Sequence, residues 1–175
     1  MKRFCALLLV SLMCFAPLCG WAETLTLLET KDGLRITLDV EEAVTTTVEP
    51  DMPEGTALVS VTSAGHANVM ISIAHSELYN DRFLKDMSQD EKDELCRIAG
   101  EQYEDPTFVF DTTPSGNEYI HVCSNQADDI DSLFTIYDGY FVELMQSHED
   151  FSPLTEEDEA FCYSLLRGIN FVKAE

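Results

Sequence analysis

The sequence predicts an α+β fold, a largely antiparallel sheet with helices packed on it. Three observations carry that prediction. Short stretches rich in Val, Ile, Thr and Phe alternate with turn residues at Asp32-Gly33, Ala64-Gly65, Pro114-Ser115-Gly116-Asn117 and Asp138-Gly139. Two segments open instead on helix-start signals, Ser88-Gln89-Asp90-Glu91 and Thr155-Glu156-Glu157-Asp158. Several strand stretches are apolar on both faces, and such strands need a cover on each side, although this pattern alone leaves open that both helices lie on one side.

The elements follow in order. Thr24 to Thr30 and Leu34 to Val40 flank Asp32-Gly33, a strong two-residue hairpin signal. That loop sets Leu25 against Val40, Leu27 against Leu38 and Glu29 against Ile36, so the hairpin covers a core with one face. Glu41 to Gly55, with Pro50, Pro53 and Thr45-Thr46-Thr47, reads as a connection holding a short irregular strand. Thr56 to Thr62 and Ala67 to Ala74 pair around Ala64-Gly65, with apolar side chains on both faces that place them centrally. His75 to Met87 holds Leu78, Tyr79, Phe83 and Leu84, which fit a helical turn. From Ser88 a capping box starts a helix whose apolar face is Leu95, Ile98, Ala99 and Tyr103, ended by Asp105-Pro106. Thr107 to Thr112, Glu118 to Ser124, Ser132 to Tyr137 and Tyr140 to Gln146 form an antiparallel meander. Its last hairpin sets Leu133 against Leu144, Phe134 against Glu143, Thr135 against Val142 and Ile136 against Phe141. A final helix, from about Glu156 to Phe171, is capped by Thr155 and carries Phe161, Leu165, Ile169 and Val172 at helical spacing.

Composition bounds the function. The chain has 175 residues, 45% of them apolar, which is enough for one globular domain. Lys2 and Arg3 precede an apolar run, Phe4 to Leu18, too short to span a bilayer, and Gly20 and Ala22 flank Trp21 in a cleavage-site pattern. Residues 1–22 are therefore read as a secretory signal peptide and 23–175 as a single secreted α+β domain. Cys19 lacks the small residues that a lipid-anchor site wants just before it. No later segment reaches transmembrane length, so no membrane insertion is expected once the signal is cleaved. All 33 acidic residues lie at or beyond Glu23 and only eight of the ten basic ones do, leaving that part of the chain with a charge of −25. Nucleic acid and anionic membrane both require clustered Lys and Arg, and both are excluded as partners. Cys5, Cys14 and Cys19 leave with the signal, and the wide spacing of Cys96, Cys123 and Cys162 matches no zinc pattern.

The order of elements, with Tyr137-Asp138-Gly139-Tyr140-Phe141-Val142-Glu143-Leu144, then Leu154-Thr155, then Gly168-Ile169-Asn170-Phe171-Val172, resembles the PsbP-like α/β/α sandwich superfamily. These stretches look like the closing hairpin and final helix of small secreted bacterial proteins of that type. The resemblance implies a binding or assembly role, since known members include an extrinsic photosystem subunit and a nuclear transport factor. It contains no catalytic signature, and no functional residue carries over.

Candidate chemistry is sparse. The four histidines sit in separate segments, and His148-Glu149 lacks the second histidine of a metalloprotease helix. Neither Ser63-Ala64-Gly65-His66 nor Ser115-Gly116 makes a nucleophile elbow, and no phosphate loop occurs. Asn125, Asp128, Asp129 and Asp131 offer hard oxygen ligands to Ca2+ from one loop, without the glycine and terminal glutamate of an EF-hand. If that loop binds calcium, the ion should raise the melting temperature, an Asp129→Asn, Asp131→Asn pair should abolish the gain, and sodium at matched ionic strength should not reproduce it. Tyr119, His121 and Cys123 alternate onto one strand face and form the candidate pocket. The sequence therefore reads as a non-enzymatic extracytoplasmic binding or assembly domain that engages a protein or envelope partner through its surface. The alternatives are a secreted hydrolase of unknown substrate and a divalent-cation-binding protein.

Overall fold

The computed structural model describes residues 23–31, 33–41, 43–101, 103, 105–124 and 130–173. The signal peptide read at 1–22 lies outside the described residues. Among the described residues ten strands and two α-helices follow one another. They are β1 (Glu23–Glu29), β2 (Leu34–Val40), β3 (Thr45–Val48), β4 (Thr56–Thr62), β5 (Asn68–His75), α1 (Gln89–Gly100), β6 (Pro106–Thr112), β7 (Glu118–Ser124), β8 (Ile130–Tyr137), β9 (Tyr140–Ser147), α2 (Glu156–Gly168) and β10 (Ile169–Lys173). Two single-turn 3-10 helices, Glu77–Tyr79 and Leu84–Asp86, bridge β5 to α1 where a helical turn is expected.

A seven-stranded sheet runs β3-β4-β5-β9-β8-β7-β6, and a smaller one runs β1-β2-β10. All pairings are antiparallel. The fold is thus the α+β class that the sequence predicts. One face of the large sheet, with Val59, Val61, Ile71, Ile73, Val142 and Leu144, packs with α2 and the small sheet around Ile36, Leu38, Phe161 and Leu165. On the opposite face, Ile120, Val122, Phe134 and Ile136 of the meander receive Leu95 and Cys96 of α1. The helices therefore lie on opposite faces.

Both helix starts follow the sequence signals. At α1, Ser88 Oγ accepts from the Glu91 amide while the Glu91 carboxylate accepts from the Ser88 amide at 2.8 Å. Thr155 and Asp158 make the same reciprocal pair at α2. The β8–β9 register matches the sequence reading residue for residue, because Asp138 and Gly139 both take positive φ, 47° and 88°, as a type I′ two-residue turn demands.

Three expectations are corrected. The β1–β2 loop is one residue longer than Asp32-Gly33. Thr30 closes it, donating its amide to Leu34 O at 2.9 Å and accepting the Leu34 amide on Oγ1 at 3.0 Å. A bulge between Thr26 and Leu28 adds a second shift, so Leu25 faces Leu38 and Leu28 faces Ile36. Second, the final helix stops at Gly168, and Ile169 to Lys173 pair with β2 as β10. Third, among the described residues β4 and β5 are covered on one face only, since Met70 is 45% exposed and Leu58, Ser60 and Ser72 are half-buried. Seven strands at about 4.8 Å spread the sheet over about 29 Å, while a helix with its side chains is about 10–12 Å wide. One helix, placed over the meander, leaves the rest of that face open.

Candidate functional site

The alternation rule places Tyr119, His121 and Cys123 on one face of β7, with Ile120 and Val122 on the other, and the structure shows that split. Tyr119 and His121 are buried toward α2, while Ile120 and Val122 pack under α1. Tyr119 donates its hydroxyl to Asp111 Oδ2 at 3.2 Å. Burial pushes its pKa up, and the charge and hydrogen bond of Asp111 push it further, so the phenol stays protonated. His121 Nδ1 lies 2.6 Å from the Tyr163 hydroxyl, which α2 brings edge-on to the imidazole. Tyr163 is a member that sequence reading missed, because it sits 42 residues away on another element.

The sulfur of Cys123 lies 3.5 Å from His121 Nδ1 and 3.4 Å from Nε2. The lone pair or N–H of each nitrogen points outward in the ring plane, and the two directions diverge. A sulfur nearly equidistant from both is in line with neither, and packs against the ring rather than hydrogen bonding to it. A thiol poised for nucleophilic attack needs an aligned base. No disulfide joins Cys96, Cys123 and Cys162 to one another. Burial raises the Cys96 pKa, with Asp93 adding to the effect, which keeps that thiol unreactive.

A second constellation gathers three segments that are distant in sequence. Asp158, 1% exposed in the first turn of α2, accepts the Ala67 amide on Oδ1 at 2.6 Å. Its Oδ2 accepts the Thr155 amide at 2.9 Å and the Thr155 hydroxyl at 2.7 Å, and lies 3.1 Å from His148 Nε2. His66 stacks on Phe161, ring centres 4.6 Å apart, with Nδ1 4.0 Å from Oδ1. Burial pushes the Asp158 pKa up, but hydrogen bonds from Thr155, Ala67 and His148 outweigh it and hold the carboxyl down at about 2, against an ordinary 3.8. Both oxygens are used internally. The arrangement pins the β4–β5 turn and the end of β9 to the start of α2.

The uncovered part of the large sheet forms the third feature. Cross-strand register lines up Thr56, Ala74 and Phe141, then Leu58, Ser72 and Glu143, then Ser60, Met70 and Met145. No Lys or Arg stands in these rows. Phe141 and Glu143 also line a cleft of about 420 Å³ beside α1, with Tyr79, Leu95, Ile98 and Glu101. The open face and the cleft are one continuous surface, apolar in its middle with Glu101 and Glu143 among its carboxylates. Another cleft, of about 550 Å³, lies where β1 and β2 meet α2. Its Asp39 is already engaged by Thr24 at 2.6 Å and Asn170 at 2.9 Å.

Asn125, Asp128 and Asp129 of the expected calcium loop lie outside the described residues, and Asp131 falls on β8. Among the described residues, no group of three or more His, Cys, Asp or Glu side chains is placed to hold a metal ion. No described helix is long and apolar enough to cross a membrane.

No protein-family model matches the chain, and no curated protein matches it in sequence. Among solved structures, the chain is similar to the solution structure of cyanobacterial PsbP (CyanoP) from Synechocystis sp. PCC 6803. The two share 13% identity with a TM-score of 0.49, over 87% of this chain and 95% of that one.

Proposed function

We propose that this chain is an extracytoplasmic, non-enzymatic binding or assembly domain, exported by residues 1–22, that engages a protein or envelope partner through the open face of its large sheet. The observation that carries the proposal is that face itself, with Leu58, Met70, Phe141 and Met145 left partly exposed and running into the cleft beside α1. Apolar side chains at the centre of a sheet contribute most when water is removed from them, at roughly 25 cal/mol per Å². A contiguous patch of that kind marks an interaction surface. Glu101 on this surface is ion-paired with Arg97 and Glu143 accepts the Ser132 hydroxyl, so it is the overall field of a chain carrying −25 beyond the signal that favours a partner presenting Lys or Arg beside its apolar side chains.

A photocrosslinking residue at position 70, in protein expressed in its own envelope, tests the site. A discrete protein adduct from position 70, absent when the probe sits at exposed Glu157 on α2, supports the face. Adducts from Glu157 and none from position 70 would place binding elsewhere. With the captured partner purified, Met70→Glu should weaken binding about tenfold or more by setting a carboxylate in the apolar centre, while leaving the melting temperature nearly unchanged.

A further inference from the structure

Among the described residues the large sheet ends in an unprotected edge, and the other free edges are each blunted. A strand edge offers unpaired amides and carbonyls to any extended chain, so proteins shorten, kink or charge such edges. Edge strand β3 has only four residues, β1 carries the bulge at Leu27, and β10 ends in Lys173. Strand β6, at the far edge, spans seven residues, Pro-Thr-Phe-Val-Phe-Asp-Thr, and pairs with β7 without interruption from Pro106↔Ser124 to Thr112↔Glu118. Its leading Pro106 blunts one end, and its one charge, Asp111, is turned to the Tyr119 hydroxyl and the Thr112 amide. Val109 is 51% exposed and Phe110 37%.

We propose that the outer edge of β6 pairs antiparallel with β6 of a second copy, about a two-fold axis through Val109, joining the two large sheets into one. In that register Val109 faces its own counterpart and Phe108 faces the second copy's Phe110. Thr107 faces Asp111 and Asp105 faces Thr113. No carboxylate opposes a carboxylate, whereas sliding one copy by two residues toward Asp105 would set Asp105 against Asp111. Residues directly opposite share a face, so Phe108 and Phe110 of both copies form one apolar row, continuous with the cluster under α1 where Phe108 already packs. Charge also selects the occupant. The one carboxylate of β6, Asp111, is taken by the Tyr119 hydroxyl, so a basic partner gains little at this edge. A second copy of so acidic a chain can approach only where charge is locally compensated, and beside β6 Lys92, whose Nζ lies 6.0 Å over the Phe110 ring, is already ion-paired with Glu118.

Sedimentation equilibrium of the chain from Glu23 onward is expected to show a monomer–dimer equilibrium that strengthens with salt, because screening removes repulsion between two copies of −25. Binding of a basic partner has the opposite salt sign, so failure here leaves the open-face proposal standing and the reverse also holds. Val109→Lys sets two like charges on the axis and should weaken dimerisation at least tenfold. In a Cys123→Ser background, Val109→Cys should form an intermolecular disulfide on mild oxidation, since opposed Cα atoms about 4.5–5.5 Å apart suit one, and Thr112→Cys should not. A monomer at every concentration and salt, a dimer indifferent to Val109→Lys, or equal crosslinking at 109 and 112 would each overturn the proposal.

Discussion

Replacing Asp158 with alanine is expected to lower stability by about 3 kcal/mol, a fall of about 10 °C in the melting temperature for a chain of this size. One carboxylate takes the Ala67 amide, the Thr155 amide and hydroxyl, and His148. Truncation removes the cap of α2 and strands the buried Ala67 amide together with the half-buried His148 imidazole. Desolvating each without a replacement bond costs about 1–3 kcal/mol. Asp158→Asn keeps one acceptor oxygen and should fall between wild type and alanine. The pH dependence has a definite sign. Because the folded-state pKa is depressed from 3.8 to about 2, the contribution of Asp158 is fully present above about pH 4 and is lost as pH falls toward about 2. Wild type minus Asp158→Asn stability, from urea titrations at pH 2 to 5, should therefore shrink across that window. A constant difference, or an alanine variant within about 0.5 kcal/mol of wild type, would show that the pin contributes nothing.

Gly168→Ala should cost about 2–4 kcal/mol, although alanine is the better helix former. Helix α2 passes into β10 without a loop, and a Cβ on Gly168 would land inside the carbonyl oxygen of Asp39 on β2. Backbone cannot swing away as a side chain can, so the β2–β10 seam must open. Amide exchange should quicken along Ile169 to Lys173 and at their β2 partners, while β8 and β9 stay protected. A neutral substitution would mean that the two strands do not approach so closely.

How far the sequence revealed this depends on the range of the interaction that decides each feature. The β8–β9 register was legible because Asp138-Gly139 fixes loop length locally. The β1–β2 register was not, because the Thr30 hydroxyl competes for the Leu34 amide and the Leu27 bulge has no composition signal. Ile169 and Val172 continue the helical spacing of Leu165, which hid β10. The marker was Gly168, at the break, with β-branched residues following it. Of the candidate sites, strand parity placed Tyr119, His121 and Cys123 on one face, but Tyr163 and the position of the sulfur over the ring depend on how α2 docks. Asp158 was legible as a residue of the first helical turn, and its link to Ala67, 91 residues away, was not. The open face was not legible because apolar residues on both sides of β4 and β5 say that two covers are wanted, and not that the described residues supply one.

If the open face binds a basic partner and leaves it chemically unaltered, association is steered by charge and its rate reports that steering. Stopped-flow association of the chain with the partner captured from position 70 tests it most directly. As ionic strength rises from about 10 mM to about 150 mM, the Debye length falls from about 30 Å to about 8 Å. The account predicts association at least tenfold slower at the higher salt with dissociation little changed, faster dissociation for Met70→Glu, and a chemically unaltered partner. An association rate indifferent to salt and to Met70→Glu, or conversion of the partner that ceases with Cys123→Ala or His121→Ala in a fully folded variant, would contradict it.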